Sequence, residues 1–414
     1  MTQTRTPLVT PVLIAGSLVL IVSFAIRSSF GVFQIPIGQT FGWPREEFSF
    51  AIAIQNLAWG IGQPIFGAFA ERFGDRRAVT LGAILYAGGL VLTAGATTAG
   101  EYQLLEVMVG FGIAGIGFGT ILAIIGRAAP PEHRSLALGI ATAAGSLGQV
   151  AGPLATEAML ARMPLSTVFL VLAAAILLAL FALPFLTAPT PHHAGTEPSE
   201  KLTTVVARAF RDPSFTLIFV GFFSCGYQLG FITAHFPALV TESCGAISPT
   251  GPLAALGISS TSALGAAAIA FIGIANVCGT FTAGWLGRIY SKRLLLSGIY
   301  TLRTLVSAAF ILTPVTPATV VLFAFAMGAL WLATVPLTSG LVAQIYGVRY
   351  MGTLYGIVFL SHQLGSFTGV WLGGWMYDLY GSYTAVWWIG VAVGAFSAIV
   401  HLPVQEEPLE ARPI

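Results

Sequence analysis

Charge is scarce in this sequence. Only 8% of its 414 residues are Asp, Glu, Lys or Arg, where a soluble globular domain carries about 25%. That shortage excludes water as the main solvent of the protein surface. The net charge is only +2, with no basic run and no interleaving of basic and aromatic residues, so a nucleic-acid partner is not expected. Three cysteines, Cys225, Cys244 and Cys278, show neither metal-ligand spacing nor an even-numbered disulfide framework. They read as buried or loop thiols, and no metal site is expected. The six histidines include the adjacent pair His192–His193 but no His-Glu-x-x-His pattern, and no paired aspartates lie within an apolar run. Without a nucleophile–base or metal constellation, neither an enzyme nor a cofactor is expected.

Apolar length is abundant. Hydrophobic residues make up 56% of the chain and the mean hydropathy is +0.86. The 48 glycines and 23 prolines are spread without period, many inside apolar runs, where membrane helices tolerate them. A spanning helix needs about 20 largely apolar residues. That length marks twelve stretches: 11–36, 46–70, 78–98, 102–126, 135–160, 165–187, 214–240, 259–287, 293–313, 317–341, 351–377 and 382–402. The fold class is therefore an all-α membrane protein of twelve transmembrane helices. Arg5 ahead of the first run could pass for a signal peptide, but the run is too long and is read as an uncleaved first span.

The longest hydrophilic stretch, residues 188–213, separates six spans (1–187) from six more (214–402), leaving a tail at 403–414. Fourteen of the 18 Lys and Arg residues fall on the side of the termini, two (Arg45 and Arg162) on the other, and Arg27 and Arg303 within spans. By the positive-inside rule both termini face the cytoplasm of a cell (inner) membrane.

The halves repeat each other. "GAFAERFGDRR" (67–77) joins spans 2 and 3, and "GWLGRIYSKR" (284–293) joins spans 8 and 9; each opens on glycine and ends on a basic cluster. "GPLATE" (152–157) and "GGWMYD" (373–378) place a carboxylate at matching ends of spans 5 and 11. The first loop, through Gly67, Glu71, Arg72, Gly74, Arg76 and Arg77, resembles the G-x-x-x-[DE]-R-x-G-x-R-R signature of the major facilitator superfamily. "RSLALGIATAAGSLG" (134–148) resembles the fifth-span pattern of the monocarboxylate porter and oxalate/formate antiporter branch, departing at Ala144 where that pattern has glycine. The acidic-Gly-aromatic opening of animal monocarboxylate carriers and their Asp–Arg pair in span 8 are absent.

The resemblance implies two six-helix pseudo-repeats, with spans 1, 4, 7 and 10 around a cavity, spans 2, 5, 8 and 11 beside them, and spans 3, 6, 9 and 12 outside. It also implies that Gly67 allows close helix approach while the loop charges latch one state. Gly148, Gly152 and Pro153 are expected as hinge and packing elements of a rocking helix. Candidate substrate-binding residues are polar groups near the middle of cavity spans. Arg27 stands alone in the run from Pro11 to Pro36, where a charge costs roughly 2.5–3.5 kcal/mol on insertion scales. An arginine stays charged and offers a planar fork that fits a carboxylate. All sixteen Asp and Glu fall in loops, tails or near span ends, the deepest being Glu106, Glu157 and Asp378, so a substrate anion is expected to neutralise Arg27.

His362 and Gln363 in span 11 are candidate donors, and His362 a candidate proton carrier. Tyr227 and Gln228, between Gly226 and Gly230, are expected where span 7 can bend; His235 is expected further out, as a gate residue. Gln55, Asn56 and Asn276 serve equally as cavity amides or as helix–helix glue. Arg303, in an outer helix, is expected to be structural. The implied function is secondary active transport of a small organic anion, a monocarboxylate in its narrower form, by alternating access coupled to protons or to an exchanged anion. The partners are that anion, the lipid bilayer and protons or a counter-anion, and a monomer is expected. Export of a neutral or drug-like molecule by proton antiport remains the alternative.

Overall fold

Helix starts are written into the chain as side-chain caps. Thr10 Oγ1 accepts from Leu13 N at 3.2 Å ahead of Pro11, and Asp212 accepts from Ser214 N at 3.0 Å ahead of Pro213. Thr98 and Glu101 exchange backbone bonds in a capping box, as do Thr316 and Thr319 ahead of a helix opened by Pro317. Each cap satisfies backbone N–H groups that have no partner within the helix, and proline suits the first helical position.

The computed structural model describes residues 9–130, 134–186, 202–347 and 351–409. Among these there is no strand. In chain order the helices are α1 (Pro11–Ser29), α2 (Gln34–Phe41), α3 (Arg45–Phe73), α4 (Asp75–Thr93), α5 (Ala99–Ile116), α6 (Phe118–Ala128), α7 (Arg134–Leu160), α8 (Leu165–Ala179), α9 (Leu202–Arg211), α10 (Pro213–Ser243), α11 (Pro252–Ala255), α12 (Thr261–Leu286), α13 (Lys292–Leu312), α14 (Pro317–Leu330), α15 (Thr334–Tyr346), α16 (Met351–Tyr380) and α17 (Thr384–Val400). Each of the twelve stretches read from the sequence is helical over most of its length. Seven helical stretches among the described residues are long and apolar enough to cross a membrane by length and composition alone. Large apolar side chains such as Leu104, Phe181, Phe281 and Leu322 are exposed, the surface expected where lipid replaces water.

Spans 4 and 10 are broken, and span 1 passes through a 3-10 turn at Phe30–Phe33. Span 4 divides at Gly117 into α5 and α6, and span 10 divides at residues 331–333 into α14 and α15. Discontinuous helices at matching places in the two halves fit a duplicated membrane protein.

The chain divides into two compact units, residues 1–30 with 58–195, and residues 31–57 with 196–414. In the first, α1 packs most extensively on α7; in the second, α10 packs most extensively on α16. These are spans 1 and 5 and spans 7 and 11, equivalent partners in the two repeats. Glycine makes both contacts possible. A methyl group built on Gly148 or Gly152 would lie 2.1 Å from the Ile21 carbonyl oxygen or 2.0 Å from that of Ala25. On Gly226 it would lie 1.6 Å from the His362 oxygen, and on Gly365 2.0 Å from that of Phe223. Both pairs bring backbones into contact through small residues four apart.

The second unit also takes in residues 31–57: a 3-10 turn, α2 and the first turns of α3. Its tail is fastened as well. Glu406 accepts from Ser291 Oγ at 2.8 Å and from Arg293 N at 2.6 Å, placing an anion at the positive end of α13.

Candidate functional site

In the first unit Arg27 lies in the last turn of α1 and is partly buried. Its guanidinium sits 5.1 Å from the centroid of the Trp59 ring. A cation over an indole face gains about 0.5–2 kcal/mol depending on desolvation. Trp59 is oriented by its own donation to Gln63 Oε1 at 3.2 Å and by the edge of Phe24, 6.3 Å away. Sequence reasoning chose Gln55 and Asn56 on this helix and passed over Trp59 and Gln63. The signal was their i, i+4 spacing, which puts an aromatic and an amide on one face.

One carboxylate near a span end is shielded from solvent. Glu106, read as lying toward a span end, is fully buried, and both it and Arg27 lie within electrostatic reach of the buried Tyr86. Burial here comes from the packing of α5 on α4, which distance along a span does not reveal.

In the second unit the candidates separate. The His362 ring stacks 5.4 Å from Phe359 and lies 5.2 Å from Phe222, and Gln363 beside it is fully buried. Tyr227 and Gln228 lie within α10, which is helical past both flanking glycines. They point at α17: Tyr227 donates to the Val386 carbonyl at 3.0 Å and Gln228 Nε2 to that of Gly390 at 3.1 Å. The flanking glycines let α10 pack closely on α16. Asn56 donates to the Ile52 carbonyl of its own helix at 2.8 Å, and Gln55 beside it is buried. Asn276 Oδ1 accepts from Leu332 N at 2.9 Å, so it ties α12 to the break in span 10.

Arg303 completes that break. It is fully buried and donates from Nε to the Leu330 carbonyl at 3.1 Å and from Nη2 to the Trp331 carbonyl, two acceptors at the end of α14. Bonds from a charged donor contribute about 1.5–3 kcal/mol. Arg303→Gln is therefore expected to lower the thermal unfolding midpoint of the purified protein while leaving ligand affinity within a few-fold. Wild-type stability with lost transport would make Arg303 a transport residue instead.

The loop at 67–77 turns at Gly74, whose φ of +95° favours glycine. Asp75 opens α4 and pairs with Arg127 at 2.5 Å, and Arg76 donates to the Pro184 carbonyl. Arg72 and Arg77 are exposed, and the Glu71 side chain lies outside the described residues. The close approach expected at Gly67 is not made: among the described residues nothing lies within 4 Å of a methyl placed there, because that face of α3 is open. Pro153 sits inside α7 without ending it.

The chain matches the family profile described as Major Facilitator Superfamily over residues 16–265 and 243–413. It belongs to the major facilitator superfamily. Members of this superfamily with similar sequences include an uncharacterized MFS-type transporter, YcxA, of Bacillus subtilis, 24% identical over 397 residues and covering 91% of this chain and 90% of that protein. Monocarboxylate transporter 13 of Bos taurus is 27% identical over 389 residues, 90% of this chain and 83% of that one. A probable anion transporter of Arabidopsis thaliana chloroplasts is 30% identical over 151 residues, 36% of this chain and 29% of that one. Among solved structures, the nucleoside transporter NupG superposes with a TM-score of 0.74 at 13% identity, covering 95% of this chain and 99% of that one. A D-xylose–proton symporter gives 0.69 at 16% identity, covering 96% and 99%. At these identities the structural likeness shows the fold. The superfamily and these relatives are membrane transporters, not enzymes.

In the second unit a polar cluster gathers around Arg45 and Asp378, next to His235. Asp378, at the end of α16, accepts from the backbone N–H groups of Arg45 and Glu46 at 3.1 and 2.6 Å and so caps α3. The Arg45 side chain pairs with Glu242, donates to the Tyr383 hydroxyl at 2.6 Å and lies 3.6 Å from the Tyr377 ring centroid. A cavity of about 220 Å³ is lined there by Gln34, Trp43, Arg45, Phe48 and Glu242. The repeated carboxylate in "GGWMYD" was the signal; its partner, the start of α3, was not legible.

Proposed function

We propose that this protein is a secondary active transporter of a small organic anion, a monocarboxylate in the narrower reading, working by alternating access with protons or an exchanged anion as the coupled species. The observation that carries the reading is the partly buried guanidinium of Arg27 over Trp59 in an otherwise apolar span. Such a group recognises a carboxylate with a charge-assisted, bidentate bond. The relatives named for monocarboxylate and anion transport support the same class. On this reading both termini and the 188–213 linker are cytoplasmic, the membrane is the cell (inner) membrane, and the six-helix halves 1–187 and 214–402 are the rocking units. The glycine-lined contact of α1 with α7, beside Pro153, is the stiff element within the first half, and the loop at 67–77 holds its cytoplasmic ends.

Counterflow in proteoliposomes tests this. A labelled monocarboxylate outside should enter faster when unlabelled monocarboxylate is loaded inside, which only a carrier produces. A screen of small monocarboxylates with no accelerated entry, alongside accelerated entry of an uncharged or cationic drug-like compound, would replace the anion reading with the export alternative.

A further inference from the structure

The cluster at Arg45 continues inward as a chain of hydrogen bonds whose directions are forced. Arg45 can only donate, so the Tyr383 hydroxyl accepts from it at 2.6 Å. The Tyr383 proton then goes to Gln34 Oε1 at 3.0 Å. Gln34 therefore turns its NH₂ to His235 Nδ1 at 2.9 Å. Nδ1 must accept, since an amide NH₂ can only donate. His235 Nε2 carries the ring's proton and donates to the Val370 carbonyl at 2.8 Å. His235, Gln34 and Tyr383 are all buried, while Arg45 and Gln34 line the cavity that opens beside them. Room for the imidazole comes from Gly373, where a methyl would stand 2.3 Å from Nε2, and Gly374 lets the first turn of α3 approach α16 in the same way.

The neutral imidazole satisfies every link of this arrangement. A proton taken from water onto Nδ1 would set an N–H against the Gln34 NH₂. Turning the Gln34 amide over to accept it would direct the NH₂ at a Tyr383 hydroxyl already accepting from Arg45. The Tyr383 proton would then lose its acceptor in a buried place, at a cost of about 1–3 kcal/mol. The ionisable groups facing His235 are Arg45 and Glu46 on α3, Tyr377 and Asp378 on α16, Glu242 on its own helix and Tyr383 before α17. Glu242 is engaged by Arg45 and by Tyr377 at 3.1 Å, and Asp378 by the start of α3. Neither α2 nor α17 carries an ionisable residue, and α12 offers only Cys278, more than two turns beyond its contact with Pro237.

We propose that His235 is a proton-binding site whose protonation releases residues 31–57 from the second unit, linking proton uptake to the conformational change of transport. The proposal rests on the alternating-access reading above and selects protons as the coupled species. The hold on residues 31–57 is present while His235 is neutral and is lost as the pH falls.

The test measures distance in the purified full-length protein and needs no substrate. Spin labels at Gln39 and Tyr380, both exposed, in a background with the three native cysteines changed to serine, report the separation of α2 from the end of α16. Between about pH 8 and about pH 4, reaching below the ordinary histidine range because the site favours the neutral ring, a longer distance should grow from minor to dominant. His235→Gln, which keeps one acceptor and one donor but takes no proton, should hold the short distance at both pH values. Gln34→Glu, whose carboxylate can accept from Tyr383 and from a protonated His235 together, should also stay short in acid. His362→Gln and Arg27→Ala should keep the wild-type response, so a failed substrate assignment leaves this test intact. A wild-type distance that ignores pH would overturn the proposal. So would an undiminished acid response in His235→Gln or Gln34→Glu, or a lost one in Arg27→Ala.

Discussion

Arg27→Ala is expected to abolish measurable carboxylate binding. Removing one partner of a desolvated charge pair costs about 2–5 kcal/mol, or about 30-fold to a few thousand-fold in affinity. The guanidinium sits over the Trp59 face at 5.1 Å, and its removal changes no backbone hydrogen bond of α1. The variant should insert and fold, because removing a charge from a span relieves an insertion cost. Arg27→Lys should recover only part of the affinity, since an ammonium is a point charge without the planar fork. Trp59→Leu should weaken binding less than Arg27→Ala, by misplacing the guanidinium without removing it. Titration of a bound monocarboxylate into the purified variants checks all three. Unchanged affinity in Arg27→Ala would make the residue structural and remove the main support for an anion.

Gly226→Ala and Gly365→Ala should each destabilise the second unit by about 1–3 kcal/mol, the usual cost of overpacking, and Gly226→Leu should prevent folding. The added carbon meets a backbone carbonyl at 1.6 or 2.0 Å, and a carbonyl cannot rotate away as a side chain can. Relief requires α10 and α16 to separate, which would also strain the bonds from Tyr227 and Gln228 to α17. Gly148→Ala and Gly152→Ala should do the same to α1 and α7. Gly67→Ala is the control. With open space around it, alanine in that helix should be neutral or stabilising by up to about 1 kcal/mol. Thermal unfolding in detergent separates the groups, and equal midpoints for Gly226→Ala and Gly67→Ala would refute the packing argument.

Membrane residence, span positions and the duplication were legible because each depends on local composition: an apolar run of sufficient length is helical in lipid whatever its neighbours. The lone Arg27 was legible for the same reason, since a charge within such a run stands out by its cost. What α10 does with Tyr227 and Gln228 was not legible. Both residues suit a cavity, and only the placement of α17 turns them to the Val386 and Gly390 carbonyls. Arg303 and Arg27 look alike in sequence, yet one closes a helix break whose carbonyls lie 27 and 28 residues away. Glu106 is buried by α4 rather than by its depth in a span. The chain from Arg45 to His235 joins residues separated by as many as 349 positions. Period and hydropathy act within a helix, while the direction of a hydrogen bond depends on which helix lies opposite, and that is settled by glycine-lined contacts distant in the chain.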